Sequence, residues 1–107
     1  MIIPAGLRHV VLCAFHEEMP ERQGAELVRE FARLKELIPQ VRHFEYGENV
    51  SPEGLDDGYT HCFTLVFDNA CQRDSYLSDP AHLRFTDLLK PWLARVLVFD
   101  YTPQAPV

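Results

Sequence analysis

Clusters of basic residues and long apolar runs are both missing from this chain of 107 residues. Lysine and arginine together number 10 against 16 acidic residues, so the formal net charge is -6. Because a nucleic-acid surface neutralises a row of phosphates with clustered cations, we expect no nucleic-acid partner. No basic segment leads into a long apolar run near the start, so we expect no signal peptide, no membrane span and a cytoplasmic location.

Cysteine is scarce, and the three residues present lack the CxxC or Cys/His spacing of zinc sites. Cys13, Cys62 and Cys71 are odd in number, which also disfavours a disulfide framework. We interpret them as small buried apolar side chains. Strand parity predicts that Cys13 and Cys62 lie on opposite faces of the sheet and do not pair.

Cofactor-binding motifs are absent as well. The sequence has no Gly-rich phosphate loop, no nucleophile elbow and no haem motif. The acidic segment 48–57 offers oxygen ligands for Mg²⁺ or Ca²⁺ but lacks calcium-loop spacing, and we interpret it as a solvated loop. We therefore expect neither a metal site nor a cofactor, so that any chemistry comes from side chains alone.

What the chain does have is a regular alternation of strand and helix patterns. Runs rich in β-branched and aromatic residues predict strands over 7–15, 41–46, 59–67 and 95–101. Helical spacing and end signals predict helices from Pro20 to Pro39, from the Asn69 cap to Leu77, and after Asp79-Pro80. The order βαββαβ predicts an α+β, ferredoxin-like protomer with an antiparallel four-stranded sheet, helices on one face, and the first and third strands as parallel neighbours. We expect one domain over 1–107, with its core at about 7–102.

The predicted strands are apolar on both faces. In the third strand, Phe63 and Leu65 alternate with Cys62 and Val66, and neither face carries a charge. An antiparallel sheet with one wet face alternates apolar and polar residues, so we expect the second face to be covered as well. A second copy is the natural cover, which predicts a homodimeric α/β barrel formed through the open sheet face. The bulkier Phe/Leu faces would then meet the helices.

Tyr76 and His82 are the candidate catalytic pair. His82 lies in the first turn of the helix that begins at Pro80, where the helix dipole favours the neutral ring that a general base requires. A phenol six residues earlier can reach the same ligand. Together they can remove a proton next to a carbonyl and stabilise the enolate oxygen. The alternative is a structural role at the helix junction.

His9 and His61 lie on strands that are neighbours in the predicted sheet. Either they face one cavity and bind a ligand, or they are core histidines bonded to each other or to water. His16 and His43 have charged or loop-like neighbours, and we expect both to be exposed.

Six short motifs occur together along the chain: RHVV at 8–11, YGENVSPEGL at 46–55, GYTH at 58–61, YL at 76–77, PAH at 80–82 and DY at 100–101. In this combination the chain resembles the stress-responsive dimeric α/β-barrel family (Dabb) over nearly its whole length. The resemblance implies a ferredoxin-like protomer in a homodimeric barrel. Known members range from plant stress proteins to a polyketide cyclase that closes a poly-β-keto chain by aldol condensation.

The resemblance to that cyclase extends to individual residues. Tyr76 and His82 match its catalytic tyrosine and histidine, and His9 and His61 match two further histidines of its pocket. Many members carry a histidine where this chain has Asp79, so a fourth histidine is not counted in the site. Three functions stay open: a homodimeric module that binds a small apolar or carbonyl ligand, a cofactor-independent lyase or cyclase, and a structural stress protein without a ligand.

Overall fold

The computed structural model describes residues 5–106. The elements are β1 (Leu7–Phe15), α1 (Glu21–Leu37), β2 (His43–Glu48), β3 (His61–Phe67), α2 (Ala70–Leu77), α3 (Pro80–Leu89), a 3-10 turn (Lys90–Trp92) and β4 (Leu93–Tyr101). The strands form one antiparallel sheet in the order β2-β3-β1-β4. Helices pack on one face of that sheet, which confirms the predicted α+β, ferredoxin-like arrangement. Within the described residues, no helix is long and apolar enough to cross a membrane.

The helices begin where the sequence signals place them. Pro20 is the N-cap of α1. Asn69 caps α2 by accepting a hydrogen bond from the Gln72 backbone N–H at 3.0 Å. Asp79 caps α3 in the same way, and Pro80 occupies the first position, where a missing N–H costs nothing. These caps matter for the site because they set where Tyr76 and His82 fall on their helices.

The strand ends differ from the predicted ones. The second strand extends to Glu48 because Glu48 and Gly47 pair with His61 and Cys62 across the β2–β3 hairpin. Gly47 and Glu48 have low intrinsic strand preference, and ladder pairing outweighs it. The fourth strand likewise begins at Leu93, opposite Phe15.

The prediction that the first and third strands are parallel is wrong, although they are neighbours. Helix α1 returns the chain so that β1 and β2 run the same way, and the following hairpin reverses β3 between them. In the resulting register Cys13 opposes His61 and Leu12 opposes Cys62. Directly opposed residues share a face, so Cys13 and Cys62 do lie on opposite faces.

The three thiols are free and differ in exposure. Cys13 is buried, and its burial raises its pKa to about 11, which keeps the thiol protonated and unreactive. Cys62 is partly buried. Cys71 is exposed on α2, so the interpretation of all three as buried side chains is wrong for this one. The short helix α2 buries Tyr76 instead and turns Cys71 outward.

The core lies between the helix-facing side of the sheet and the helices. Phe31 of α1 is at its centre, with ring centroids 4.5 Å from Phe63 on β3 and 4.6 Å from Phe85 on α3. All three rings are at most 4% exposed. Burial of this aromatic cluster holds α1 and α3 against the sheet and so places the wall of the cavity described below.

The other side of the sheet, the outer face, carries exposed apolar side chains along β4, whereas Arg8, Thr64 and Glu45 lie on it in the other strands. On β4 it presents Leu97, Phe99 and Tyr101, all more than 40% exposed. At one end, Arg95 holds the 49–60 loop over this face by bonding both the backbone carbonyl and the carboxylate of Asp57. The acidic loop is exposed, as expected of a solvated loop, and is tied to the sheet at Asp57.

Gly6, just before β1, allows close contact between two backbone segments. Its φ of +113° is unfavourable for any residue with a Cβ, and a Cβ there would overlap the carbonyl oxygen of Phe67. We expect Gly6→Ala to lower the free energy of unfolding by about 2 kcal/mol or more. Gly47→Ala is the matched control, because a Cβ at that position would meet no atom within 4 Å. Denaturant unfolding measures both, and equal stabilities for the two variants would contradict the role assigned to Gly6.

Candidate functional site

A cavity of about 420 Å³ lies between the helix-facing side of the sheet and helices α1, α2 and α3. Its walls are mainly apolar, and they include Val11, Phe31, Phe85, Leu89 and Val98. Polar and charged side chains also line it, namely His9, Arg73, Asp74, Tyr76, His82, Thr86, Lys90 and Asp100. The cavity thus combines an apolar wall with a cluster of groups that can donate, accept or move protons.

The backbone carbonyl of Leu77 fixes the tautomer of His82, and burial favours its neutral form. Its Nδ1 is 3.1 Å from the Leu77 carbonyl oxygen. A carbonyl can only accept, so Nδ1 carries the proton and Nε2 keeps its lone pair. Burial lowers the pKa of His82, although the Leu77 bond partly opposes this, and the neutral form is favoured near neutral pH. These properties suit a general base.

Tyr76 presents a phenol that has no hydrogen-bond partner within residues 5–106. The residue is 0% exposed, and its ring centroid is 4.4 Å from that of His82. Tyr76 is one of the residues that line the cavity. Burial raises the pKa of Tyr76, so the group acts as a neutral donor rather than a phenolate.

His9 lies beside this pair and contacts the Asp100 carboxylate, which it shares with Arg73. Its Nδ1 is 2.8 Å from Oδ1 of Asp100, and Arg73 Nη1 donates to Oδ2 of the same carboxylate at 2.8 Å. The ring of His9 is 5.9 Å from that of Tyr76, centroid to centroid. The structure therefore brings three of the four predicted site residues, His9, Tyr76 and His82, to one cavity.

His61 is the exception, because it lies at the far end of β3. Its Nδ1 is 2.7 Å from the Thr60 hydroxyl oxygen, and its ring packs against Phe15 and Tyr46. It lines a separate concavity of about 470 Å³ beneath the 49–60 loop. Although His9 and His61 share the helix-facing side of the sheet, they do not meet in one cavity within this protomer.

The remaining histidines are not part of either site. His16 is exposed and the His43 side chain is 46% exposed, as predicted. Within residues 5–106, no group of three or more His, Cys, Asp or Glu side chains is arranged to hold a metal ion.

Sequence reasoning assigned no role to Asp100 or Arg73. The sequence does single out Asp100, because it is the one acidic residue of β4 and lies on the same face of that strand as Val96 and Val98. An acid in an apolar row on the helix-facing side of the sheet needs a partner, and His9 is directly opposite it in the sheet register. Arg73 carried no such signal, since it is an ordinary cation on a short surface helix.

Comparison with known proteins agrees with this architecture. The model of the stress responsive A/B barrel domain (Dabb) family matches residues 7–103. The stress-response A/B barrel domain-containing protein HS1 of Arabidopsis thaliana is 35% identical over 97 residues, which cover 91% of this chain and 89% of that protein. Olivetolic acid cyclase of Cannabis sativa is 29% identical over 98 residues, covering 92% of this chain and 97% of the cyclase.

Solved structures show the same fold. The crystal structure of At3g17210 from Arabidopsis thaliana has a TM-score of 0.91 at 34% identity and covers 94% of this chain and 98% of that one. A hydroxynitrile lyase from Passiflora edulis has a TM-score of 0.90 at 20% identity and covers 97% of this chain and 99% of that one. A dimeric ferredoxin-like protein from Thermobifida fusca has a TM-score of 0.79 at 17% identity, with 92% of each chain covered. On its sequence and its fold, this chain belongs to the stress responsive A/B barrel (Dabb) family.

Proposed function

We propose that the protein is a homodimer that binds a small carbonyl compound with an apolar substituent and catalyses proton transfer next to the carbonyl without a cofactor. The observation that carries this proposal is the meeting of His82, Tyr76 and His9 in a cavity with mainly apolar walls. Acid–base chemistry at carbon needs a neutral base and a hydrogen-bond donor on one substrate, and a low-dielectric site strengthens both interactions.

The roles of the two catalytic residues follow from their protonation states. Nε2 of neutral His82 takes a proton from the carbon next to the carbonyl. The electron pair of the broken C–H bond forms the enolate, and the Tyr76 hydroxyl donates a hydrogen bond to the developing oxyanion. The enolate carbon then attacks a second carbonyl of the same molecule, which forms a C–C bond, and protonated His82 returns the proton to the new alkoxide oxygen. In a conjugated substrate, protonated His82 can instead return the proton to the far carbon of a dienolate, which moves the double bond. The names of two similar proteins, a cyclase and a lyase, support an enzymatic role.

A purely structural role is less well supported. In that case we would expect core side chains to fill the space beside His82, because native interiors are close-packed. Instead a cavity of about 420 Å³ lies there. The volume is within the range of small-molecule sites.

Dimerisation is supported by the outer face of the sheet. Leu97, Phe99 and Tyr101 form an apolar row on β4 that is exposed among the described residues. Large exposed apolar patches mark interaction surfaces. A protein of the same fold is described as dimeric, which agrees with a second copy on this face.

Ligand binding can be tested with a variant that fills the cavity. Thr86 lines the cavity from α3, so Thr86→Phe places a ring inside it. We expect aromatic and β-keto acids to raise the melting temperature of the wild type, by roughly 10 °C when the ligand is 100-fold above its Kd. Thr86→Phe should lose this shift.

Leu88→Phe is the matched control, because Leu88 lies on the same helix, is half exposed and does not line the cavity. It should keep the full shift. An equal shift in Thr86→Phe and Leu88→Phe would place the ligand elsewhere, and the absence of a shift in the wild type across the whole panel would contradict the proposed ligand class.

A further inference from the structure

We propose that Arg73 is a positioning residue of this site, holding the Asp100 carboxylate so that His9 presents an unprotonated ring nitrogen to the ligand. The inference rests on the proposed function in one respect, namely that a bound ligand uses that nitrogen. It concerns a residue on α2 that lies outside the Tyr76–His82 pair, and its structural part can be tested without a substrate.

The first step is the division of the Asp100 carboxylate between two partners. One oxygen accepts from His9 Nδ1 at 2.8 Å and the other accepts from Arg73 Nη1 at 2.8 Å. The side chains of His9, Asp100 and Arg73 are 7%, 20% and 23% exposed, so water competes little for these bonds. Two charge-assisted bonds in different directions fix the rotation of the carboxylate, whereas one bond would not.

The second step is the tautomer of His9. An ionised carboxylate only accepts, so the proton of a neutral His9 ring lies on Nδ1 and its lone pair on Nε2. The sheet register places Asp100 directly opposite His9, so the contact is built into the β1–β4 pairing. His9 therefore resembles His82, whose Nδ1 is also committed to an acceptor. The cavity is lined by two imidazole rings that share this tautomer.

The third step is the anchoring of Arg73 itself. Its Nε donates to Asp74 Oδ1 at 3.0 Å while Nη1 binds Asp100. Both bonds raise the pKa of the Arg73 guanidinium, with the Asp100 bond the larger cause, so the charge persists at any working pH. Arg73 and Tyr76 are three residues apart on α2 and therefore lie on one side of the helix. The guanidinium thus connects the helix that bears the phenol to the strand that orients His9.

The test reads the His9 tautomer directly, by NMR of ¹⁵N-labelled histidine side chains. In the wild type we expect the Nδ1–H form. In Arg73→Gln the carboxylate loses one of its two charged partners and can rotate, and we expect the Nε2–H form to rise at least several-fold. Arg73→Lys keeps the charge and one donor, and should restore most of the wild-type ratio. Asp100→Asn is the positive control, because its amide can donate to Nδ1 and so favour the Nε2–H form.

Arg42→Gln is the matched negative control, since Arg42 pairs with Asp68 at 3.0 Å on the exposed surface, outside the cavity lining. It should leave the His9 signals unchanged. The proposal is overturned if Arg73→Gln retains the wild-type tautomer ratio, or if Arg73→Lys and Arg73→Gln shift it equally. Should Arg73→Gln fail to fold, Arg73→Met and Arg73→Lys supply the same comparison. Failure of the wild type to turn over any substrate would refute the proposed reaction but would leave this result standing.

Discussion

His82→Ala is expected to lower kcat for an enolisable β-keto substrate by roughly 10²- to 10⁴-fold, the usual contribution of a positioned general base. The reason is the Leu77 carbonyl, which commits Nδ1 as a donor and leaves Nε2 as the proton acceptor. His82 lines the cavity without forming part of its buried aromatic core, so the fold should tolerate the change. Steady-state kinetics and a thermal melt of the same preparation measure both effects.

The pH dependence of kcat/KM should report the protonation of His82. Burial lowers the pKa of His82, so the base is unprotonated, and active, above a pKa that lies below the ordinary value near 6.5. We expect kcat/KM to be constant around neutral pH and to fall as the pH drops through that lowered pKa. In His82→Ala this fall of kcat/KM at low pH should change, because the base whose protonation causes it is gone.

Two further variants separate catalysis from folding. Tyr76→Phe removes the donor to the enolate oxygen while keeping the buried ring, and we expect a loss of about 10²- to 10³-fold in kcat. His16→Ala is the control, because His16 is exposed and outside the cavity. Unchanged turnover in both His82→Ala and Tyr76→Phe would remove the catalytic roles and leave a binding protein.

Phe99→Asp is expected to convert the protein to a monomer. Phe99 is 62% exposed on the outer face of β4, between Leu97 and Tyr101. A two-fold interface contains each substitution twice, so two buried and unpaired carboxylates, at about 2–3 kcal/mol each, weaken the dimer by roughly 10³- to 10⁴-fold. Analytical ultracentrifugation should show the mass falling from twice the chain mass of 12.4 kDa to the single-chain value.

Leu83→Asp provides the control for this experiment. Leu83 is half exposed on α3, away from the outer face, and an acidic residue near a helix start is tolerated. It should remain dimeric. A wild type that stays monomeric at micromolar concentration would contradict dimerisation, and a Phe99→Asp variant that stays dimeric would move the interface to another surface.

Much of the fold was predictable because its signals are local. Caps such as Asn69 and Asp79 act on backbone groups within three residues, so they mark helix starts without any tertiary information. Alternation along β3 similarly assigned Phe63 and Leu65 to the helix-facing side, where both are buried. Strand direction was not local in this sense: the antiparallel pairing of β1 and β3 depends on how the intervening helix and hairpin return the chain.

The candidate site was predictable only in part. Tyr76 and His82 are close in sequence and lie on either side of a capped helix start, so their contact follows from a short stretch of chain. The contact between His9 and Asp100 joins residues 91 apart, and Arg73 reaches Asp100 from 27 residues away. Each depends on the strand order and on where α2 lies over the sheet.

By itself, then, the sequence determined the element order, the faces of the strands, the helix ends and the family, since these depend on residue type and short-range spacing. The tertiary structure alone decided which polar groups share a cavity. It separated His61 from His9, although both are on the helix-facing side, because they lie at opposite ends of that side. It also joined His9 to Asp100 and Arg73, because cross-strand register and helix placement bring distant residues within hydrogen-bond distance.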